Sequence, residues 1–218
     1  MSLNRLELKV CGMTQRENIQ AVLEVKPDWI GLIFWPKSKR YCSLDPEQWQ
    51  TIDLNQTKSV GVFVDQPMDE VLQIAHTYDL DGLQLHGNES TEYLKTLRSQ
   101  LPKVAIIKAF SIDHHFDWGL LSPYQEHSDL FLFDTKGPLP GGNGTAFDWT
   151  ILTQYPGSTP FLLSGGIHLG LTKNLLEWIH TPASKWCVGF DVNSGFEVSP
   201  GIKNPELIKE LSQQCKQL

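Results

Sequence analysis

Eight short apolar runs recur along the whole chain, and they constrain its fold more than any other feature. They are Leu6–Cys11, Trp29–Phe34, Ser59–Val64, Gly82–Leu85, Val104–Ala109, Leu130–Asp134, Phe161–Ser164 and Trp186–Asp191. Each is rich in Val, Ile, Leu or Phe and lacks a polar alternation. Such runs suit strands covered on both faces, as in parallel sheets. Amphipathic stretches with helix-start signals separate them. Thr14 and Glu17 have the spacing of a capping box. Pro67 stands where a first helical residue belongs, ahead of Met68–Tyr78. Asn88 and Ser90 are cap candidates for Glu92–Gln100, and Asp148 for Trp149–Gln154. Asn204-Pro205 combines a cap with a first-turn proline ahead of Glu206–Gln213.

Strands alternating with helices mean α/β architecture. An open dinucleotide-binding sheet calls for G-x-G-x-x-G after the first strand. Here that strand ends Val10-Cys-Gly-Met-Thr14 instead. Eight near-equal units without an edge-like strand favour a closed (β/α)₈ TIM barrel. No composition shift marks a boundary, so residues 1–218 are expected to form a single barrel domain. At 218 residues the chain is short for this fold, where about 250 is typical. It therefore has little room for insertions.

Composition narrows the function classes. Lys plus Arg is 18, Asp plus Glu is 25, and the net charge is −7. An acidic chain without a basic block is not built for nucleic acid. No apolar stretch reaches membrane-spanning length, and the N-terminus lacks the apolar core of a signal peptide. Cys11, Cys42, Cys187 and Cys215 form no C-x-x-C pair and have no zinc-ligand spacing to histidine. They read as reduced thiols of a cytoplasmic protein without a metal.

In a barrel, chemistry sits at the C-terminal ends of the strands. Those ends carry Cys11 after the first run, Arg40 beyond the second, His86 after the fourth and Asp134 after the sixth. Ser164-Gly165-Gly166 follow the seventh, and Asp191-Val-Asn193-Ser194-Gly195 close the eighth. The last two ends are neighbours in a closed barrel. Their glycines let backbone N–H groups approach an anion, so Gly165, Gly166, Asn193, Ser194 and Gly195 are the expected phosphate site. The loop after Asp134 is glycine-rich. It lacks the G-K-S/T ending of a nucleotide-binding loop. Its start at a strand-end carboxylate marks a lid or ligand-contacting loop, with Gly142 and Gly144 as substrate contacts.

Moving hydrogen between adjacent carbons requires a base and an acid on opposite sides of a substrate. The first and sixth strands place Cys11 and Asp134 across the mouth. A free thiol titrates near about 8.5, so helix N-termini or a cationic intermediate must favour its thiolate. Burial in a closed mouth is expected to keep Asp134 protonated.

These segments, taken in order, resemble the phosphoribosylanthranilate isomerase family. Its likeness runs through Lys9-Val-Cys-Gly-Met-Thr14, Phe34-Trp-Pro-Lys-Ser-Lys-Arg-Tyr41, Val60–Val64 and Gln84-Leu-His-Gly87. It continues through Phe133-Asp-Thr135, Gly141-Gly-Asn-Gly-Thr-Ala-Phe-Asp-Trp149, Ser164–Gly166, Asp191–Glu197 and Pro200–Lys203. The resemblance implies tryptophan biosynthesis, a (β/α)₈ barrel and no cofactor. The implied reaction is the Amadori rearrangement of N-(5-phosphoribosyl)anthranilate to 1-(2-carboxyphenylamino)-1-deoxyribulose 5-phosphate. It implies Cys11 as general base, Asp134 as general acid, Arg40 facing the anthranilate carboxylate, and His86 and Asp191 lining the mouth. The expected partner is a phosphorylated small molecule, and the expected assembly a monomer or homodimer.

Two features depart from the family. Lys39 stands where proline is usual, which loosens the loop carrying Arg40. Residues 113–129, with His114, His115, Trp118 and His127, match no family pattern and read as a variable outer helix and loop. A related isomerase of histidine biosynthesis uses carboxylates as both acid and base, so Cys11 argues against it. A catalytically dead phosphate-binding barrel is the rival from another class, and the presence of Cys11, Asp134 and Arg40 argues against that.

Overall fold

The computed structural model describes residues 5–135 and 149–215. Eight parallel strands close into one barrel in sequence order. They are β1 (Glu7–Cys11), β2 (Trp29–Ile33), β3 (Lys58–Phe63), β4 (Gly82–Leu85), β5 (Ala105–Ile112), β6 (Leu130–Thr135), β7 (Phe161–Leu163) and β8 (Cys187–Val192). Pairing of β1 with β8 shuts the cylinder, with Lys9 opposite Asp191. The fold is thus the single (β/α)₈ barrel expected. Strand β5 runs further than its apolar core, and Ser111 pairs with Asp134 at its far end. Asp134 is therefore carried on the sheet ladder rather than on a loose loop.

Burial explains the uninterrupted apolar runs. Outward residues such as Val10, Ile30, Phe63, Leu83, Phe131 and Phe133 join the large core between barrel and outer layer. Inward residues Trp29, Val60, Ile107, Ala109, Leu132 and Leu162 fill the barrel interior. Cys11, Ile33 and Val62 form a separate cluster capped by Trp35. With a period of two, Lys9 lies on the same face of β1 as Cys11.

The outer layer is α1 (Arg16–Leu23), α2 (Pro46–Gln50), α3 (Met68–Thr77), α4 (Thr91–Gln100), α5 (Thr172–Trp178) and α6 (Pro205–Cys215). Ser90 caps α4, accepting from the Tyr93 N–H, as expected. Asn204 likewise accepts from the amides of Glu206 and Leu207 ahead of α6. Three capping expectations fail. The Thr14 hydroxyl donates to the Gly201 carbonyl at 2.9 Å, leaving extended Gln15 as the cap of α1. Pro67 precedes α3 rather than opening it. Asn88 is held by Asp65, which accepts from its backbone N–H. Asp148 lies outside the described residues.

Besides α5, the sequence reading lacked two elements. One is α2, whose cap Asp45 accepts from the N–H groups of Glu47 and Gln48. The other is an antiparallel hairpin, β9 (Glu197–Ser199) with β10 (Ile202–Lys203), beyond the last barrel strand. Residues 113–129 form no long outer helix. A short 3₁₀ helix, Trp118–Tyr124, stands there. Trp118 packs edge-on against Phe116 and Phe133, which pins the segment to the barrel wall. Among the described residues no cluster of His, Cys, Asp and Glu is arranged to hold a metal. No described helix is long and apolar enough to cross a membrane.

Candidate active site

The C-terminal ends of the strands surround a small cleft of about 60 Å³. Cys11, Arg40, His86, Asp134, Asp191 and Asn193 line it, joined by Gln84 and Ser164. Residues read from separate places in the sequence thus converge on one cavity. A larger groove at the opposite end of the barrel, lined by Arg5, Lys26, Asp28 and Asp53, holds none of them. Gly142 and Gly144 lie outside the described residues. Gly165, Gly166, Ser194 and Gly195 do not line this cleft, although they directly follow Ser164 and Asn193, which do. Gly165 and Gly166 adopt φ of +87° and +64°, a region natural to glycine. A Cβ at Gly195 would meet the Ile167 carbonyl at 2.3 Å, so the loops after β7 and β8 touch as a closed barrel requires.

Cys11 ends β1 and is 3 % exposed. Directly after it, Gly12 turns with φ +77°. A Cβ there would lie 2.8 Å from the Arg40 side chain and 2.9 Å from the Asn193 amide. The loops after β1, β2 and β8 meet at that glycine. Burial pushes the Cys11 thiol above its ordinary value, and the Lys9 charge opposes that push.

Asp134 is buried across the mouth, with its Oδ2 3.6 Å from His86 Nε2. The other imidazole nitrogen, Nδ1, is 2.9 Å from Gln84 Nε2. His86 therefore stands between an amide and a carboxylate, its ring orientation set from β4.

Three charged residues that the sequence reading left without a role complete the mouth. Lys9 is fully buried and donates to Asp191 Oδ1 at 2.7 Å. Asp191 also accepts from the Ser164 hydroxyl at 3.2 Å. Burial works against the Lys9 charge, but Asp191 and Cys11 together hold its pKa above the ordinary value. Glu197 accepts a two-pronged contact from Arg40 Nε and Nη2, both at 2.8 Å. Lys203, also buried, donates to Glu197 and to Asn193 Oδ1. The hairpin thus clamps the loop bearing Arg40 to the end of β8. Arg40 is no solvated surface charge. Its pKa is raised chiefly by the bonds to Glu197. The network braces the loop that Lys39 was expected to loosen.

A closed (β/α)₈ barrel with a thiol, a carboxyl, an imidazole and a guanidinium gathered at its strand ends has the layout of a small-molecule barrel enzyme. The profile of the N-(5'-phosphoribosyl)anthranilate isomerase family matches residues 8–214, and the chain belongs to that family. The isomerase of Parabacteroides distasonis is 43% identical over 209 residues, covering 95% of this chain and 92% of the relative. That of Phocaeicola vulgatus is 40% identical over 210 residues, covering 96% and 98%. Among solved structures, the phosphoribosylanthranilate isomerase of Thermotoga maritima superposes with a TM-score of 0.81 at 31% identity, over 98% of this chain and all of its own. A second isomerase structure holds reduced 1-(o-carboxyphenylamino)-1-deoxyribulose 5-phosphate. It matches with a TM-score of 0.79 at 28% identity, over 98% of this chain and 100% of that one.

Proposed function

We propose that the chain catalyses the Amadori rearrangement of N-(5-phosphoribosyl)anthranilate in tryptophan biosynthesis, with Cys11 as base and Asp134 as acid. The observation that carries this reading is the convergence of both residues, from β1 and β6, on one cleft at the C-terminal barrel face.

In this mechanism Asp134 gives its proton to the ribose ring oxygen. The ring C1–O bond breaks, and the nitrogen lone pair forms the C=N⁺ bond of a Schiff base. The Cys11 thiolate then removes the proton on C2 and becomes a thiol. The C2–H electron pair forms C1=C2 and returns the C=N⁺ pair to nitrogen. The resulting enolamine tautomerises to the ketose. Arg40 presents a planar cation to the anthranilate carboxylate, already oriented by Glu197. Gly165, Gly166, Asn193, Ser194 and Gly195 take the phosphate through backbone N–H groups. His86, Asp191, Gly142 and Gly144 are the further substrate contacts of this reading. The reaction uses no cofactor, because proton transfers alone balance it.

Residues 1–218 act as one domain in the cytoplasm, as a monomer or a homodimer. The T. maritima relative is described as dimeric. The deciding experiment follows the loss of anthranilate-type fluorescence from freshly made substrate, for wild type, Cys11→Ser and Asp134→Asn. Both variants are expected to lose orders of magnitude in kcat with folding intact. A wild type that binds a sugar phosphate but does not turn this substrate over would overturn the assignment.

A further inference from the structure

The Cys11 end of the cleft holds more positive than negative charge before the thiol is counted. Lys9 comes from β1, Arg40 from the loop after β2, and Lys203 from β10. Against these three cations stand Asp191 from β8 and Glu197 from β9. Across the cleft, β4 and β6 contribute His86 and Asp134. Strand β2 faces the sulfur with Gly31, which brings no charge. A buried excess cation is costly unless paired, and a thiolate at Cys11 balances this end of the site.

Among the cations, Lys9 is placed to provide that pairing. It shares an inward face with Cys11, two residues along β1. A Cβ built on Gly31 would lie 2.8 Å from Cys11 Sγ and 3.2 Å from Lys9 Nζ, so ammonium and sulfur meet over one glycine. Arg40 and Lys203 are committed to Glu197. Asp191 grips Lys9 from the other side, which fixes the ammonium in place.

We propose that Lys9 is a positioning residue for the C2 proton transfer: its ammonium, held by Asp191, is the counter-charge that stabilises the Cys11 thiolate. This rests on Cys11 being the base. The base collects a proton from carbon, so the site must hold a thiolate in a buried place that otherwise disfavours it. Burial and Asp191 raise the thiol, while Lys9 and Lys203 lower it. Lys9 and Asp191 therefore act on the sulfur with opposite signs, although they form one salt bridge.

That opposition separates an electrostatic role from a structural one. The Cys11 titration midpoint is read from ultraviolet thiolate absorbance, as a difference against Cys11→Ala. Burial keeps Cys42 and Cys215 at about 11 and Cys187 at about 12, clear of the lower range. Lys9→Met should raise the midpoint by about one pH unit or more. The alkaline climb of kcat should follow it, costing about tenfold near neutrality. Asp191→Asn should lower the midpoint, whatever it does to turnover. If Lys9→Met does not fold, the double variant Lys9→Met/Asp191→Asn removes both charges, and its midpoint should lie above that of Asp191→Asn. Midpoints that stay put, or move in the same direction in both single variants, would overturn the proposal. If the midpoints move as expected but Cys11→Ser keeps its turnover, the base assignment fails instead.

Discussion

Replacing Glu197 tests whether the hairpin holds the mouth together. Its Oε1 accepts from Arg40 Nε at 2.8 Å, from the Gly201 N–H at 3.1 Å and from Lys203 Nζ, while Oε2 accepts from Arg40 Nη2 at 2.8 Å. Four donors fill the capacity of one carboxylate. Glu197→Ala leaves two cations in place without their counter-charge, one of them fully buried. Breaking such a pair costs about 3–5 kcal/mol, a large part of a stability of about 5–15 kcal/mol. Glu197→Gln can keep its oxygen at the Oε1 position and turn its amide towards Arg40 Nη2. It removes the same counter-charge but keeps three of the four accepted hydrogen bonds, so it should cost less than alanine, with the lost charged bond alone worth about 1.5–3 kcal/mol. Urea unfolding should show the midpoint falling by about 1–2 M for alanine and less for glutamine. Freed from its clamp, Arg40 must be ordered by substrate. That costs about 0.5–1.5 kcal/mol, a two- to tenfold rise in KM with little change in kcat. The pH dependence has a definite sign. Burial pushes the Glu197 carboxyl up, but Arg40 and Lys203 outweigh it and hold the folded pKa below the ordinary value. The unfolded chain therefore binds the proton more readily. The stability Glu197 contributes is present above about pH 4 and is lost as pH falls through the depressed folded value. The glutamine variant should lack that acid loss. Equal unfolding midpoints and equal KM in all three proteins would refute the clamp.

Two further substitutions probe other parts of the mouth. Gly31→Ala puts a methyl 2.8 Å from Cys11 Sγ and should cut kcat by about a hundredfold. Its melting temperature should change little, and undiminished turnover would show that the sulfur has room to move. Lys108 is buried outside the barrel, donating to Glu89 Oε2 at 3.1 Å and to the Gly87 carbonyl at 2.7 Å. This anchors the loop that follows His86. Glu89→Ala should cost about 3–5 kcal/mol in urea at neutral pH. Burial already holds the Lys108 pKa below its ordinary value. The unfolded chain thus keeps a proton that the folded chain sheds, so raising pH towards about 10 should recover part of the loss. A deficit that grows with pH would contradict this account.

The barrel was legible because its strands are covered on both faces, which writes Leu, Ile, Val and Phe in unbroken runs. The strand ends were legible for the opposite reason. Cys11, Asp134 and Asp191 interrupt or terminate those runs, where a polar residue needs a purpose. Short elements were harder. Helix α2 has five residues, too few for periodicity, although Asp45-Pro46 carries the cap-and-proline signal that was used at Asn204-Pro205. The β9–β10 hairpin has strands of three and two residues, marked only by Pro200-Gly201. The Thr14 capping box failed because Gly201, far along the chain, took its hydroxyl.

The buried charges were the least legible, because a salt bridge has no local pattern. Lys9 and Asp191 are 182 residues apart, and Arg40 and Glu197 are 157 apart. Lysine in a strand ordinarily reads as an exposed end. One inference was still open from sequence alone: in a strand buried on both faces, residue 9 must point with residue 11. A lysine there enters the barrel beneath the cysteine and needs an anion. The next strand around the closed cylinder offers Asp191 at the matching height. The same closure that makes the fold therefore creates the pair. A barrel that failed to join β1 to β8 would leave both charges buried without a partner, so the electrostatics of the mouth and the topology of the sheet stabilise one another.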